Sequence, residues 1–403
     1  MSETKLLMNS GKNSRLLSRN VLVLSAVSLF TDIASEMLYP VMPIYLKSIG
    51  FSIILIGILE GLAEGITGLS KGYFGTRSDA IGRRLPFVQL GYALSAVSKP
   101  MMVAFIYPIW VFLARTLDRL GKGIRTGARD ALLSDEASVE TKARVFGFHR
   151  AMDTFGAVLG PLLALLYLNW YPEDYRNLFL IAFAPGLIAF GFTFFIRENN
   201  QRVAQKVSKP RLADFLKYWK QSPSLYRKLV VGLLFFALFN SSDVFLLLKI
   251  KEIGGSDTWL IGAYIFYNLI YALAAYPMGV LADKVGIKKV FCGGIMTFGM
   301  AYSLMAVAST QLHFFIVFFL YGLFAAATEG LAKAWISNLA ERDRTATAIG
   351  TFTAFQSIFS MMASAVAGII WYAIGPNVVF GMSAVAALAT FIYLLRIRFT
   401  QPA

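Results

Sequence analysis

The sequence is poor in the residues that build chemical sites. Among 403 residues there is one cysteine, Cys292, which excludes a disulfide framework and any cysteine-based zinc cluster. There are two histidines, His149 and His313, too few for a multi-histidine metal centre, and both are expected to be structural. Charge is scarce too: Asp, Glu, Lys and Arg make up 15% of the chain, against about 25% in ordinary soluble domains. No nucleophile–base pair or metal-ligand set appears, so neither catalysis nor a cofactor is expected. What the chain has instead is apolar bulk. It is 57% hydrophobic before its 33 glycines are counted, a composition that excludes a disordered chain and a soluble globular enzyme.

A bilayer span needs about 20 mostly apolar residues. Twelve such stretches can be read: 19–47, 52–76, 86–106, 108–131, 143–170 and 175–196, then 226–250, 257–281, 288–308, 311–337, 345–372 and 376–396. Runs such as Leu178 to Ile196 are apolar on every face, whereas barrel strands alternate. The fold class is therefore an all-α membrane protein with twelve transmembrane helices. Pro40 and Pro43 should kink the end of the first.

The net charge of +15 resembles a nucleic-acid signal, but its placement argues topology. With both ends in the cytoplasm, inside segments carry 25 Lys and Arg and outside segments carry 4. This predicts a multi-pass protein of the cell (inner or plasma) membrane, touching anionic lipid and no nucleic acid. The first 20 residues are not a cleavable signal, since the apolar run continues to span length. Residues 197–225 form the single long polar linker. Within it, Leu212 to Lys220 is amphipathic and suits either the membrane surface or a solvated connector.

The two halves echo each other. Gly75-Thr-Arg-Ser-Asp79-Ala-Ile-Gly82-Arg83-Arg84 follows the second stretch, and Gly279-Val-Leu-Ala-Asp283-Lys-Val-Gly286-Ile-Lys288-Lys289 follows the eighth. The aspartates lie 204 residues apart, about half the chain. Gly127 to Ala131 and Gly330 to Ala334 repeat at nearly the same offset. Two homologous six-helix bundles follow, at 1–196 and 226–403, joined by 197–225. Physically, glycine allows close helix approach, and an aspartate at a helix terminus can pair with arginine or accept backbone N–H bonds. The basic pairs alone would also serve topology.

These loops resemble the signature loop of the major facilitator superfamily of secondary transporters. Arg115 to Gly123 is similar to that family's fourth-helix motif. Gly156-Ala-Val-Leu-Gly160-Pro161 resembles its proton-coupled exporter motif, departing at Ala164 and Leu165. Ser35 to Pro40 and Asp118 to Arg129 look like a little-characterised prokaryotic branch. The resemblance implies two bundles, a central cavity lined by helices one, four, seven and ten, and gating at Gly75, Asp79, Gly82, Arg83, Arg84, Gly279, Asp283 and Gly286.

Ionisable groups at bilayer depth face water or a partner. Arg115, Asp118, Arg119, Lys122, Arg125 and Arg129 recur at helical spacing and share one face. Helix one offers Asp32 and Glu36, and helix seven Asn240 and Asp243. Helix ten offers Glu329 and Lys333, spaced to pair with each other. Helix two carries Glu60 and Glu64. Arg150 and Asp153 read as a buried structural pair, while Lys71 and Lys99 snorkel without further role. Trp259, Tyr264, Asn268 and Tyr271 are packing residues or substrate contacts. Asp32 and Glu36 facing Arg115 and Arg119 form the expected proton-coupling set. Five bases against one acid on helix four favour a substrate with an anionic group. The resulting expectation is a monomeric, proton-coupled transporter of a small polar or amphipathic solute, with antiport efflux preferred. The competing readings are a proton-coupled importer and a lipid flippase or scramblase on the same fold.

Overall fold

The computed structural model describes residues 17–198, 214–254 and 257–397. Among these it contains fifteen α-helices, two 3-10 turns and no strand. In chain order the helices are α1 (Arg19–Glu36), α2 (Met42–Ser48), α3 (Ile53–Ile81), α4 (Leu85–Ala104), α5 (Pro108–Asp135), α6 (Lys142–Trp170) and α7 (Tyr175–Phe192). They continue as α8 (Asp214–Gln221), α9 (Ser224–Ala237), α10 (Val244–Glu252), α11 (Asp257–Val285), α12 (Ile287–Val307), α13 (Gln311–Leu339), α14 (Thr345–Ala373) and α15 (Pro376–Arg396).

Local chemistry sets several of these ends. Ser18 caps α1 by accepting the Val21 N–H at 3.2 Å, and Ser52 caps α3 through Leu55 N–H at 3.2 Å. Pro108 and Pro376 open α5 and α15 at the first helical position. Gly82 closes α3 with φ 71°, and Gly286 separates α11 from α12 with φ 100°.

Among the described residues, seven helices are long and apolar enough to cross a membrane: the ones at 142–170, 175–195, 259–285, 287–307, 311–339, 342–373 and 376–396. The other expected spans fall on α1–α2, α3, α4, α5 and α9–α10, which are broken or carry polar and charged faces. Apolar side chains on the outside are abundant, such as Leu187 and Ile188 of α7 and Val385 and Leu388 of α15. Such surface suits lipid.

Two of the expected spans are interrupted. The first stops at Glu36 and resumes at Met42, where prolines were read as a kink. The seventh, a single stretch at 226–250 by its apolar run, stops at Ala237 and resumes at Val244. Four consecutive polar residues, Asn240-Ser241-Ser242-Asp243, mark that break and were its legible signal.

Helices α1 to α7 pack chiefly among themselves, with α1 on α6 and α7, and α5 on α3 and α4. Helices α9 to α15 do the same, with α13 on α11 and α12, and α12 on α15. The two groups meet along two seams, α3 against α14 and α6 against α11. Helix α8 docks into the first seam rather than lying on a surface. Its Phe215 is buried over Gly72, and Phe215 O accepts from Thr351 Oγ1 at 3.3 Å. Burial against α3 and α14 outcompetes the membrane-surface option. Residues 199–213, including Leu212, lie outside the described residues.

Candidate functional site

The charged face of α5 looks into a small cavity of about 50 Å³. It is lined by Asp32 and Glu36 of α1, Lys99 of α4, Phe179 of α7, and Arg115, Asp118, Arg119, Lys122 and Arg125 of α5. The structure thus brings together the acids and bases that the sequence grouped. Five cations face three carboxylates, so the chamber is electropositive. Asp118 is the paired acid, with Lys99 Nζ at 2.7 Å and Arg115 Nη1 at 3.6 Å. Asp32 and Glu36 have no Lys or Arg within ion-pair distance among the described residues. Glu36 instead accepts from the Tyr264 hydroxyl of α11 at 3.3 Å. Arg125 donates to Ser95 Oγ at 2.6 Å and stacks over the Tyr92 ring at 4.6 Å.

Lys99 does not snorkel. It is buried at 4% exposure and neutralises Asp118 inside the cavity wall. Its long stem reaches inward because the nearest carboxylate lies there. Lys71 likewise turns inward, donating to Ser357 Oγ at 3.1 Å. The side chain of Glu60 lies outside the described residues, and Glu64 lines a different cavity.

Close approach of α1 and α6 positions Asp32 and Glu36. A Cβ on Gly156 would stand 2.5 Å from Leu29 O, and one on Gly160 would stand 2.7 Å from Met37 N. The Gly156, Gly160 and Pro161 stretch therefore presses α6 onto the turn of α1 that carries both acids.

At the signature-loop end the two helix groups are locked by matching contacts. Asp79 accepts from Thr347 N at 2.6 Å and Thr347 Oγ1 at 2.8 Å, at the start of α14. It also pairs with Arg84 at 3.2 Å, and Arg84 pairs with Asp135. Asp283 accepts from Ala143 N at 3.1 Å, Arg144 N at 3.2 Å and Arg144 Nε at 2.6 Å, at the start of α6. Each aspartate thus satisfies orphan N–H groups of a helix in the other group. Gly75 sits against Ala346 O and Gly279 against Ala143 O, each with 2.5 Å for a Cβ. Arg83 is exposed, whereas Lys288 donates to Leu395 O and Ile397 O.

Glu329 and Lys333 do not pair with each other. Glu329 pairs with Arg150 at 3.2 Å, and Lys333 with Asp130 at 2.8 Å, both across the seam. Opposite helices offer partners that are already buried there, so the long-range pairs win over the helical neighbour. Arg150 also holds Asp153 at 2.7 Å and donates to the Tyr271 hydroxyl. Arg129 leaves the cavity and pairs with Asp130 at 2.8 Å. Sequence reasoning missed Asp130; His149, expected to be structural, is buried with its Nε2 2.8 Å from Ser28 Oγ, which also accepts from Arg129. Asp130 was legible as an acid among bases. Asp243 stands apart at the start of α10, bound by the hydroxyls of Tyr267 at 3.0 Å and Tyr321 at 2.5 Å.

The Major Facilitator Superfamily profile matches residues 24–267 and 251–403, which together cover nearly the whole chain. The chain belongs to the major facilitator superfamily. An uncharacterized MFS-type transporter of Methanocaldococcus jannaschii is 32% identical over 395 residues, covering 96% of this chain and 97% of that protein. The multi-drug resistance efflux pump PmrA of Streptococcus pneumoniae is 24% identical over 84% of this chain and 86% of its own length. Among solved structures, the human organic anion transporter MFSD10 superposes with a TM-score of 0.77 at 15% identity, covering 93% of this chain and 99% of that one. That likeness is one of fold. The major facilitator chain described here is accordingly an integral, multi-pass transport protein.

Proposed function

We propose that this chain is a twelve-span secondary transporter that works by alternating access and carries a small organic solute bearing an anionic group. The observation that carries this reading is the cavity in which five cations face three carboxylates. Guanidinium forks grip carboxylate and phosphate, and the excess of positive charge is offset when such a group enters. Asp32 and Glu36, which have no ion-pair partner among the described residues, are the proton-coupling groups, because a buried carboxylate without a fixed counterion can exchange its proton as access changes. The bundles are 1–196 and 226–403, joined by 197–225, with both termini and the signature loops on the cytoplasmic side of the cell membrane. The seams at Asp79 and Asp283 form the inner gate. Export by antiport is the preferred direction, supported by the efflux-pump relative.

The test is transport in proteoliposomes, with substrates first found by thermal-shift screening of organic anions. Arg119→Ala should lower uptake or efflux about tenfold or more, near 1.4 kcal/mol of binding. Asp32→Asn or Glu36→Gln should abolish accumulation driven by a proton gradient while counterflow exchange survives. Full proton-driven accumulation in both acid variants would remove those residues from coupling. Undiminished transport in Arg119→Ala, with Arg115→Ala equally active, would end the anion reading.

A further inference from the structure

A second cavity, of about 420 Å³, opens where the α9–α10 break meets α3 and α14. Polar and apolar surface share its wall about equally, and the polar part at the break comes from Asn240, Ser241, Ser242 and Asp243, faced by Ser360 and Ser364 of α14. Its charged groups are Asp243, Glu64 and Lys71, so with all three ionised it is one positive charge short of neutral. Lys71 is held at Ser357, while Ser364 Oγ accepts from Ser242 N at 3.1 Å. Seven helical residues separate those serines, about 10 Å along the axis, so the ammonium is drawn away from the break.

Both oxygens of Asp243 accept from tyrosine hydroxyls, Oδ2 from Tyr267 and Oδ1 from Tyr321, an arrangement that favours the carboxylate. No Lys or Arg among the described residues lies within ion-pair distance of it. Asp32 and Glu36, by contrast, share their cavity with five cations. In the same break, Asn240 Oδ1 is buried with no donor. Ser241, 4% exposed, points its Oγ near the Tyr302 hydroxyl without a hydrogen bond of good geometry. A carboxylate held by hydroxyls and by no cation, with neutral oxygens left unsatisfied in the same break, is a donor set for a hard cation. The C-terminal end of α9, which points into the break, adds the negative end of a helix dipole.

We infer that the α9–α10 break binds one monovalent metal cation, of which Na⁺ is the probe, through Asp243, Asn240 and Ser241. Three carboxylate or histidine ligands, as a divalent ion prefers, are not assembled among the described residues, and a single net charge calls for a single positive one. Occupancy of this site does not depend on the transport reading above. Its use as a second coupling ion does.

The test measures ²²Na⁺ binding to the purified full-length protein, with the unfolding midpoint in NaCl and in equal choline chloride alongside. Saturable binding and a Na⁺-specific rise in midpoint are expected. Asp243→Asn should abolish both, and Asn240→Ala should weaken Na⁺ binding about tenfold or more. Arg119→Ala, which lies in the other cavity, should bind Na⁺ as before even where it cannot carry solute, and so separates failure of this site from failure of the anion reading. If Asp243→Asn does not fold, Asn240→Ala decides alone. No saturable ²²Na⁺ binding in the unaltered protein, or undiminished binding in Asn240→Ala, overturns the proposal.

Discussion

The two seams carry the same loop, and they are not equally committed. At α3–α14, Asp79 is nearly buried, and its partner Arg84 is 1% exposed and shared with Asp135. At α6–α11, Asp283 is as deeply buried, but its partner Arg144 is 27% exposed. In both, an aspartate caps the first turn of a helix from the opposite group, and a glycine permits backbone contact. The shared features are those that geometry demands. The basic partner varies because any nearby guanidinium can supply the charge. The comparison also places the energetic weight: the first seam buries a charge network, while the second leaves about a quarter of its cation in contact with its surroundings.

This ordering can be broken by substitution, with Cys292 as reporter. It is the single cysteine and is buried, so a thiol-reactive dye reads global unfolding. The largest effect is expected from Asp79→Ala, about 3 kcal/mol, because it strands Thr347 N–H and removes one of the two carboxylates, Asp79 and Asp135, that pair with a fully buried Arg84. Next come Gly75→Val and Gly279→Val, about 2 kcal/mol each and nearly equal, since both meet a carbonyl oxygen at 2.5 Å. A marked difference between the two glycine variants would show that the seams are not geometrically equivalent. Asp283→Ala should cost about 1 kcal/mol, less than Asp79→Ala, because Arg144 can turn to solvent. If the two aspartate variants unfold at the same midpoint, burial of the basic partner is not what separates the seams. Arg83→Ala, at an exposed position, should shift stability by less than about 0.5 kcal/mol.

The sites lay in the sequence to different degrees. The face of α5 was legible because helical periodicity is local, and the structure keeps Arg115, Asp118, Arg119, Lys122 and Arg125 together on one cavity. Asp32 and Glu36 were legible for the same reason. Lys99 was misjudged, because a lone lysine in an apolar run carries no sign of the aspartate it meets on the next helix. Asp130 shows in the sequence as an acid among bases, but its partner Lys333 comes from a distant helix and is visible only in the fold.

The amino-acid order alone determined that the chain is helical and apolar, that it is duplicated, and that Asp79 and Asp283 occupy matching loops. Those are statements about spacing, and spacing survives without coordinates. Only the tertiary structure decided who pairs with whom. Glu329 takes Arg150 and Lys333 takes Asp130, although each had the other four residues away. It also decided that the seventh stretch breaks at Asn240–Asp243 and that α8 docks into a seam. The physical reason is the cost of leaving a charge or a backbone group unsatisfied at depth. That cost is settled among all the partners that packing brings within reach, and a one-dimensional string does not say which those are.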